Sequence, residues 1–271
     1  MNRTEISALI VNRLEREIDS FSSMYDASCD QIGYFIVDDL LPFQVAMNIY
    51  RCFPAAEEML LKKSNREYKY IAAQMDSYSP ILEETIYAFQ DPGVVKCVSN
   101  ICKIENLYPD KHLYAGGISM MGYNHFLNPH LDNSHDKNRE NWRVLNLLYY
   151  VTPDWPVTNG GNLELWPEGI HGKQILIHSK FNRLAVMATH TSSWHSVSPV
   201  KSRDSARYCV SNYYFSDSPL RGSDNFHVTS FRGRPGQRIR DFILRSDSSV
   251  RMMIRKLFKK GIIETKHIYK K

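Results

Sequence analysis

Residues 143–151 read RVLNLLYYV, and NLELW follows at residues 162–166. Both runs are short, rich in apolar and aromatic residues, and bounded by turn-forming residues, which is typical of β-strands. Similar runs between residues 114 and 217 are AGGISMMGY, QILI, RLAVMA, HSVSPV and RYCVSNYYF. Many short strands at such spacing favour a sandwich, barrel or jelly roll. The turn Asn159-Gly160-Gly161 predicts a hairpin between two of them, because glycine adopts positive φ without penalty.

The sequence before these strands is predicted to be mostly helical. Apolar residues three and four apart indicate one amphipathic helix from Ile6 to about Ser22. A strand is expected at residues 33–37, and further helices from Pro42 to Phe53 and across residues 80–104, the last with a break near Asp91. We therefore predict an α+β chain whose helices surround a β-rich core.

Charge divides the chain into two parts. Residues 232–271 carry 13 Lys and Arg against 3 Asp and Glu, a net charge of +10, whereas residues 1–231 carry 21 against 26, a net charge of −5. We expect one domain over residues 1–231, helical to about residue 110, and a basic helical extension over residues 232–271. An amphipathic basic helix is compatible with an anionic membrane or with nucleic acid. Packing of its apolar face on the core is more common, so we expect packing and no nucleic acid partner.

Composition narrows the class of protein further. The first residues lack the continuous apolar core of a signal peptide, and no run reaches the roughly 18 to 20 apolar residues of a spanning helix. Five cysteines match neither a zinc knuckle nor a redox pair. A cytoplasmic protein with reduced thiols and no transmembrane segment is expected.

The segment NPHLDN at residues 128–133 carries the chemistry. Residues two apart on a strand point to the same side, so His130 and Asp132 would present an imidazole and a carboxylate together. His195 heads a later strand and is the preferred third ligand, with His190 as its competitor. Two histidines and one carboxylate are typical of non-haem Fe(II) oxygenases. The three residues together predict a metal site.

A cation twelve residues after His195 extends this prediction. Arg207 begins the run RYCVSNYYF, and a guanidinium pairs bidentately with a carboxylate such as that of a 2-oxoacid. Arg203 competes with it. His135 and Asp136, together with His125, flank the HxD motif, and we expect them to be solvent-exposed loop residues rather than a second metal cluster.

These motifs, in this order over roughly residues 114–217, resemble the catalytic domain of the prolyl 4-hydroxylase-like 2-oxoglutarate/Fe(II) dioxygenases. The resemblance implies a double-stranded β-helix, the jelly roll of that family. It also implies roles for five residues. His130, Asp132 and His195 would be the iron ligands. Arg207 would be the salt-bridge partner of 2-oxoglutarate, and Tyr150 would donate a hydrogen bond to the same cosubstrate. Asn146 and Leu148 share the strand parity of Tyr150 and would face the pocket too.

The implied cofactors are Fe(II), 2-oxoglutarate as cosubstrate and O2, with ascorbate as a candidate reductant. The implied reaction hydroxylates an unactivated C–H bond and releases succinate and CO2. Asp132 favours hydroxylation over halogenation, since related halogenases generally have glycine or alanine there. The alternatives are a prolyl 4-hydroxylase acting on a peptidyl proline and a non-catalytic jelly roll that binds metal or sugar.

The chain also departs from the family's pattern. Met120 stands where several members have a tyrosine, and Tyr123 is near but not at the matching offset. The helical N-terminal part is expected to cover the pocket. This favours a small-molecule or carrier-linked substrate over a protein, with peripheral membrane contact by the basic tail as a further option.

Overall fold

A computed structural model describes residues 1–258 and residue 269. Its helices are α1 Arg3–Glu15, α2 Ile18–Asp26, α3 Cys29–Ile32, α4 Phe43–Arg51, α5 Pro80–Ala88, α6 Pro92–Cys102 and α7 Arg238–Leu257. Its strands are β1 Tyr34–Val37, β2 Leu60–Lys63, β3 Glu67–Ala72, β4 Leu107–Pro109, β5 Gly117–Met121, β6 Phe126–Leu131, β7 Trp142–Tyr150, β8 Leu163–Leu165, β9 Ile175–Ile177, β10 Arg183–Ala188, β11 His195–Val197, β12 Arg207–Ser216 and β13 Ser230–Phe231.

The strands form one curled antiparallel sheet with two halves. One half has the order β1-β10-β7-β12-β5, and the other has the order β6-β11-β8-β9 with β13 beside β6. Strand β3 joins the halves, because residues 70–72 pair with β5 while residues 67–68 pair with β6. The predicted α+β fold with a jelly-roll core is confirmed.

Alternation along β7 separates the core from the cavity. Leu145, Leu147 and Tyr149 are fully buried or nearly so and belong to one apolar cluster with α1, α5 and α6. Asn146 and Leu148 face the opposite side of the sheet, where they line a cavity. A strand with period-two side chains thus gives one face to the helices and the other to the site.

The first predicted helix is two helices in the structure. Asn2 caps α1 with a capping box to Glu5, and the helix ends at Glu15 because Glu17 leaves the helical region at φ −133°. The break lets α1 pack against α5 and α6 while α2 packs against α6 and β1. The strand and helices predicted further along correspond to β1, α4, α5 and α6, but the hairpin β2–β3 was not predicted.

The predicted hairpin at Asn159-Gly160-Gly161 was wrong. Both glycines do have positive φ, and a side chain on Gly160 would lie 2.1 Å from the carbonyl oxygen of Pro199. However, β7 pairs with β10 and β12, whereas β8 pairs with β9 and β11. The turn therefore carries the chain from one half of the sheet to the other.

Helix α7 makes up most of the described part of the basic extension. The expected packing of its apolar face on the core was wrong, since Leu244 is the one buried apolar residue of α7 and most of the others are exposed. Within the described residues, no helix combines the length and the apolarity that crossing a bilayer requires.

Candidate active site

The structure brings His130, Asp132 and His195 together. His130 lies on β6 and His195 on β11, where the two residues face each other in register, with ring centroids 4.1 Å apart. Asp132 follows β6 directly. Its Oδ1 lies 3.7 Å from Nε2 of His130, and its Oδ2 lies 3.7 Å from Nε2 of His195. Metal bonds to such atoms are about 2.1 Å long. A single metal ion can therefore bridge Asp132 and either histidine. This cluster is the one group of candidate metal ligands in the described part of the chain.

Backbone carbonyls orient both imidazoles. Nδ1 of His130 lies 3.0 Å from the carbonyl of Asn128, and Nδ1 of His195 lies 2.9 Å from the carbonyl of Ser193. A carbonyl only accepts, so each Nδ1 must carry the proton. Each Nε2 then presents a lone pair towards Asp132, the arrangement by which proteins prepare histidines to bind a metal.

The protonation states also suit a metal. Burial, reinforced by His195, lowers the pKa of His130 to about 3, so its ring is neutral. Burial alone would raise the pKa of Asp132, but His195, Arg143 and His130 outweigh it, and the pKa is below its usual range. Arg143 is buried, with Nη1 3.6 Å from Asp132, and its guanidinium lies over the ring of Tyr213. A neutral imidazole and an anionic carboxylate are the forms that coordinate metal.

Arg207 is a buried cation that pairs with no carboxylate among the described residues. Its side chain is 2% exposed and lines the same cavity as the histidines. Its contacts are Ser179 Oγ at 3.3 Å and Met121 Sδ at 3.2 Å, and its guanidinium lies 4.8 Å from the ring centroid of Tyr150. Among the described residues, no carboxylate lies within ion-pair distance. Because an unpaired buried charge is costly, this arrangement indicates an anionic ligand.

Tyr150 lies beneath that guanidinium. It is fully buried, and its hydroxyl interacts with Arg207 and Ser179 without reaching hydrogen-bond geometry to any described residue. Burial raises its pKa to about 12, so the hydroxyl keeps its proton and can donate. The position is compatible with the predicted contact to a cosubstrate.

The residues that competed with His195 and Arg207 in the sequence analysis do not line the cavity. His190 is buried in the turn after β10, where its Nδ1 accepts from the backbone of Ser192, and it is not part of the cluster. Arg203 is exposed and donates to the hydroxyl of Tyr123. Neither Met120 nor Tyr123 reaches the cavity. Met121, one residue along β5 from Met120, lines it instead.

The residues beside the HxD motif are less exposed than we expected. His125 is buried, with its ring centroid 3.8 Å from that of Tyr68, and His135 is half-buried against Trp142. Asp136 accepts backbone hydrogen bonds from two residues of its own turn. The exposed-loop prediction was wrong, because aromatic side chains from neighbouring segments cover both rings. None of the three joins the metal cluster.

The cavity has a volume of about 320 Å³. Its wall includes Arg66 and Lys69 from the hairpin β2–β3, Phe231 from β13 and Arg251 from α7. Phe231 stacks on His130 with centroids 5.0 Å apart and planes 15° apart. The expectation that N-terminal helices cover the pocket was wrong, since those helices pack on the other face of the sheet. The sequence analysis did not name Arg66, Phe231 or Arg251 as residues of this wall.

Residues 116–215 match the family model of the 2OG-Fe(II) oxygenase superfamily. This segment is a 2OG-Fe(II) oxygenase domain. Enzymes of this superfamily use Fe(II) and 2-oxoglutarate, and the match supports a 2-oxoglutarate-dependent dioxygenase domain over these residues. A search of curated protein sequences finds no match to the chain.

Solved structures share the fold of the oxygenase domain. A prolyl-4-hydroxylase from Pseudomonas putida has a TM-score of 0.54 and 15% identity, covering 72% of this chain and 98% of its own. A prolyl 4-hydroxylase from Phytophthora capsici has a TM-score of 0.54 and 16% identity, covering 93% of this chain and 80% of its own. The 2-oxoglutarate-dependent epimerase SnoN of nogalamycin biosynthesis has a TM-score of 0.51 and 13% identity, covering 74% of this chain and 84% of its own.

The side chains of the oxygenase domain fit its cofactors. Two imidazoles and one carboxylate are the donor set of non-haem Fe(II) oxygenases. Oδ2 of Asp132 and the hydroxyl of Tyr150 are buried atoms without a hydrogen-bond partner in the described residues. A metal would satisfy Oδ2 of Asp132. The carboxylate of a cosubstrate would pair with Arg207 and accept a hydrogen bond from the hydroxyl of Tyr150.

Proposed function

We propose that this chain hydroxylates an unactivated C–H bond of a small or carrier-linked substrate, with His130, Asp132 and His195 as the iron ligands. The observation that carries the proposal is Arg207, a buried guanidinium without a carboxylate partner in the described residues, which opens on the same cavity as the three candidate ligands. A site for metal alone would not need such a cation. A site for metal and 2-oxoglutarate does, because the distal carboxylate of the cosubstrate needs a partner.

The protein would contribute orientation and shielding. Bound iron and 2-oxoglutarate supply the oxidative chemistry, in which O2 is consumed and the cosubstrate becomes succinate and CO2. Arg207 would hold the distal carboxylate of 2-oxoglutarate while Tyr150 donates a hydrogen bond to it. Arg143 keeps the carboxylate of Asp132 ionised and positioned, and Phe231 covers one face of His130 against water.

The enclosure of the cavity supports a small substrate. The hairpin β2–β3 lies on one side, and β13 with α7 lies on another. The two sides are tied together, because Asp247 of α7 pairs with Arg66 of the hairpin. A folded protein could reach the metal cluster only through an extended segment, whereas a small molecule or the end of a carrier-linked chain fits this enclosure.

The first experiment measures cofactor binding and uncoupled turnover. Anaerobic calorimetry of the full chain should detect Fe(II) and, once iron is bound, 2-oxoglutarate. Addition of O2 should then release succinate. Asp132→Ala should abolish iron binding, because it removes the anionic ligand. Arg207→Gln should still bind iron but should bind 2-oxoglutarate roughly 10- to 100-fold more weakly, since hydrogen bonds to charged groups contribute about 1.5–3 kcal/mol.

Arg203→Gln is the matched control, since it removes the same charge at an exposed position four residues away. It should bind both ligands as the wild type does. Binding of Fe(II) without any binding of 2-oxoglutarate would favour a non-catalytic metal-binding jelly roll. Equal affinity of Arg207→Gln and wild type for 2-oxoglutarate would remove Arg207 from the site.

A substrate screen distinguishes the proposed small-molecule hydroxylase from the remaining alternative, a prolyl 4-hydroxylase. Metabolite extracts and proline-containing peptides are each incubated with the iron-loaded chain, 2-oxoglutarate and ascorbate. The readout is the mass gain of one oxygen atom. We expect that gain in the metabolite fraction, whereas a hydroxylated peptide would instead identify a prolyl 4-hydroxylase.

A further inference from the structure

Helix α7 presents an apolar surface to solvent. The apolar residues that are at least 47% exposed are Ile239, Phe242, Ile243, Val250, Met253 and Leu257. Their spacings of three, four, seven and eleven residues place them along one side of a helix. We call these six residues the apolar stripe. A single exposed leucine is ordinary, but six large residues along a helix of 20 residues, about 30 Å long, form a contiguous patch.

The rest of the protein fixes which side of α7 faces outward. Leu244 is buried, Asp247 pairs with Arg66 of the hairpin β2–β3, and Arg251 lines the cavity. Arg232 and Gly233 also hold the start of the helix through the carboxylate of Asp241. The inner side of α7 is therefore mostly polar and specifically paired, and the apolar stripe points away from the core.

Basic residues border the apolar stripe on one side. Arg238, Arg245 and Lys256 are exposed and follow one another at spacings of seven and eleven residues, so they lie along one line of the helix. None of them forms an ion pair with a carboxylate in the described part of the chain. A row of cations beside an apolar row is the arrangement of helices that lie in the plane of a membrane surface.

Charge decides which partner fits. A second copy of the chain would bring the same row of cations close to itself across a two-fold contact, which is unfavourable. Nucleic acid would satisfy the cations but would leave the apolar stripe in water. An anionic lipid surface satisfies both features, because headgroup phosphates pair with Arg and Lys while apolar side chains enter the acyl boundary.

We propose that α7 docks in the plane of an anionic lipid surface, with the apolar stripe inserted and with Arg238, Arg245 and Lys256 at the headgroups. The distribution of charge favours this orientation, since residues 232–271 carry a net +10 and residues 1–231 a net −5. The tail is attracted to the surface while the body is repelled, so α7 approaches first.

The test is vesicle flotation of the intact chain. Vesicles of phosphatidylcholine alone are compared with vesicles that contain phosphatidylserine as well. The chain should float with the anionic vesicles and stay at the bottom with the neutral ones. Raising the salt concentration should reduce binding, because salt screens the headgroup attraction. The double substitution Phe242→Ser/Leu257→Ser and the triple substitution Arg238→Gln/Arg245→Gln/Lys256→Gln should each lower partitioning roughly 10-fold or more.

Control variants change exposed apolar or basic residues elsewhere. Leu176→Ser removes an exposed apolar residue from β9, and Lys111→Gln/Lys173→Gln/Lys201→Gln removes three exposed cations. Both controls should float as the wild type does. Wild-type chain that fails to float with anionic vesicles overturns the proposal, and so does equal loss in the controls. If the double substitution instead converts a dimer to a monomer without any vesicle binding, the apolar stripe is a contact between copies and the proposal is wrong.

Discussion

His190 and His195 are five residues apart, yet they have different environments. His195 faces His130 across two paired strands, so its Nε2 points into the cavity. His190 lies in the preceding turn, where burial, reinforced by Arg221, lowers its pKa to about 4. The register between two strands that are far apart in the sequence therefore makes His195 a candidate ligand and leaves His190 a buried neutral histidine.

The buried state of His190 predicts a loss of stability in acid. In the unfolded chain this residue binds a proton below its ordinary pKa of 6.5, whereas in the native state it does so only below about 4. Falling pH thus favours the unfolded state between these two values. From pH 8 to pH 5 this one group should remove about 2 kcal/mol from the free energy of unfolding.

Urea unfolding of the metal-free chain at pH 8 and pH 5 measures this effect. His190→Asn should lose about 2 kcal/mol less than the wild type over that interval. His171→Asn, at an exposed position, should behave as the wild type does. The same pH dependence in His190→Asn and wild type would show that His190 is not held neutral.

Some residues could be predicted from sequence and others could not. His130 and Asp132 were accessible because strand periodicity is local. The third member of the cluster required a guess about strand pairing, which local sequence does not specify. Met121 was not assigned a role, because which face of a strand lines the cavity depends on the register with strands far along the chain.

Two elements from opposite ends of the chain form one wall of the cavity. The hairpin β2–β3 supplies Arg66, and α7 supplies Asp247 and Arg251. The hairpin was missed because the segment LLKKSNREYKYIA carries many charges and little clean alternation. Helix α7 was predicted, but the face that packs on the protein was predicted wrongly. Its polar residues form ion pairs with the rest of the protein, whereas apolar contacts were expected.

Asp247→Asn should loosen α7. The substitution removes the acceptor charge shared by Arg66 and Arg251, and partly exposed ion pairs contribute at most about 1 kcal/mol each. Hydrogen exchange of the α7 amides, followed by mass spectrometry, should accelerate roughly fivefold. Asp19→Asn, an exposed aspartate of α2, should leave that exchange unchanged. Unchanged exchange in Asp247→Asn would mean that the ion pairs of Asp247 do not hold the helix in place.

At the scale of the whole molecule, one apolar cluster runs from the N-terminal helices into the sheet. It includes Ile6, Ile10 and Leu14 of α1 together with Leu145 and Leu147 of β7. Such continuity is compatible with the predicted single domain over residues 1–231, because a shared core makes helices and sheet unfold together.

Ile10→Ala tests this prediction. Removing a fully buried isoleucine should lower the free energy of unfolding by about 2–5 kcal/mol. All four tryptophans, Trp142, Trp155, Trp166 and Trp194, lie among the β-strands, so their fluorescence reports on the jelly roll, whereas far-ultraviolet circular dichroism reports largely on the helices. Both transitions should shift together. Asn12→Ala, exposed on the same helix, should shift neither. A shift of the dichroism transition alone would divide the chain into two domains.

The wall that α7 completes also has a consequence for biosynthesis. The ribosome releases the segment with His130, Asp132 and His195 before it releases Phe231 and Arg251. Since domains generally begin to fold as the chain emerges, the nascent jelly roll passes through a stage in which its histidine cluster is still open to the surrounding water. We expect metal delivery to be easiest at that stage, before the later segment that carries Phe231 and Arg251 completes the cavity wall.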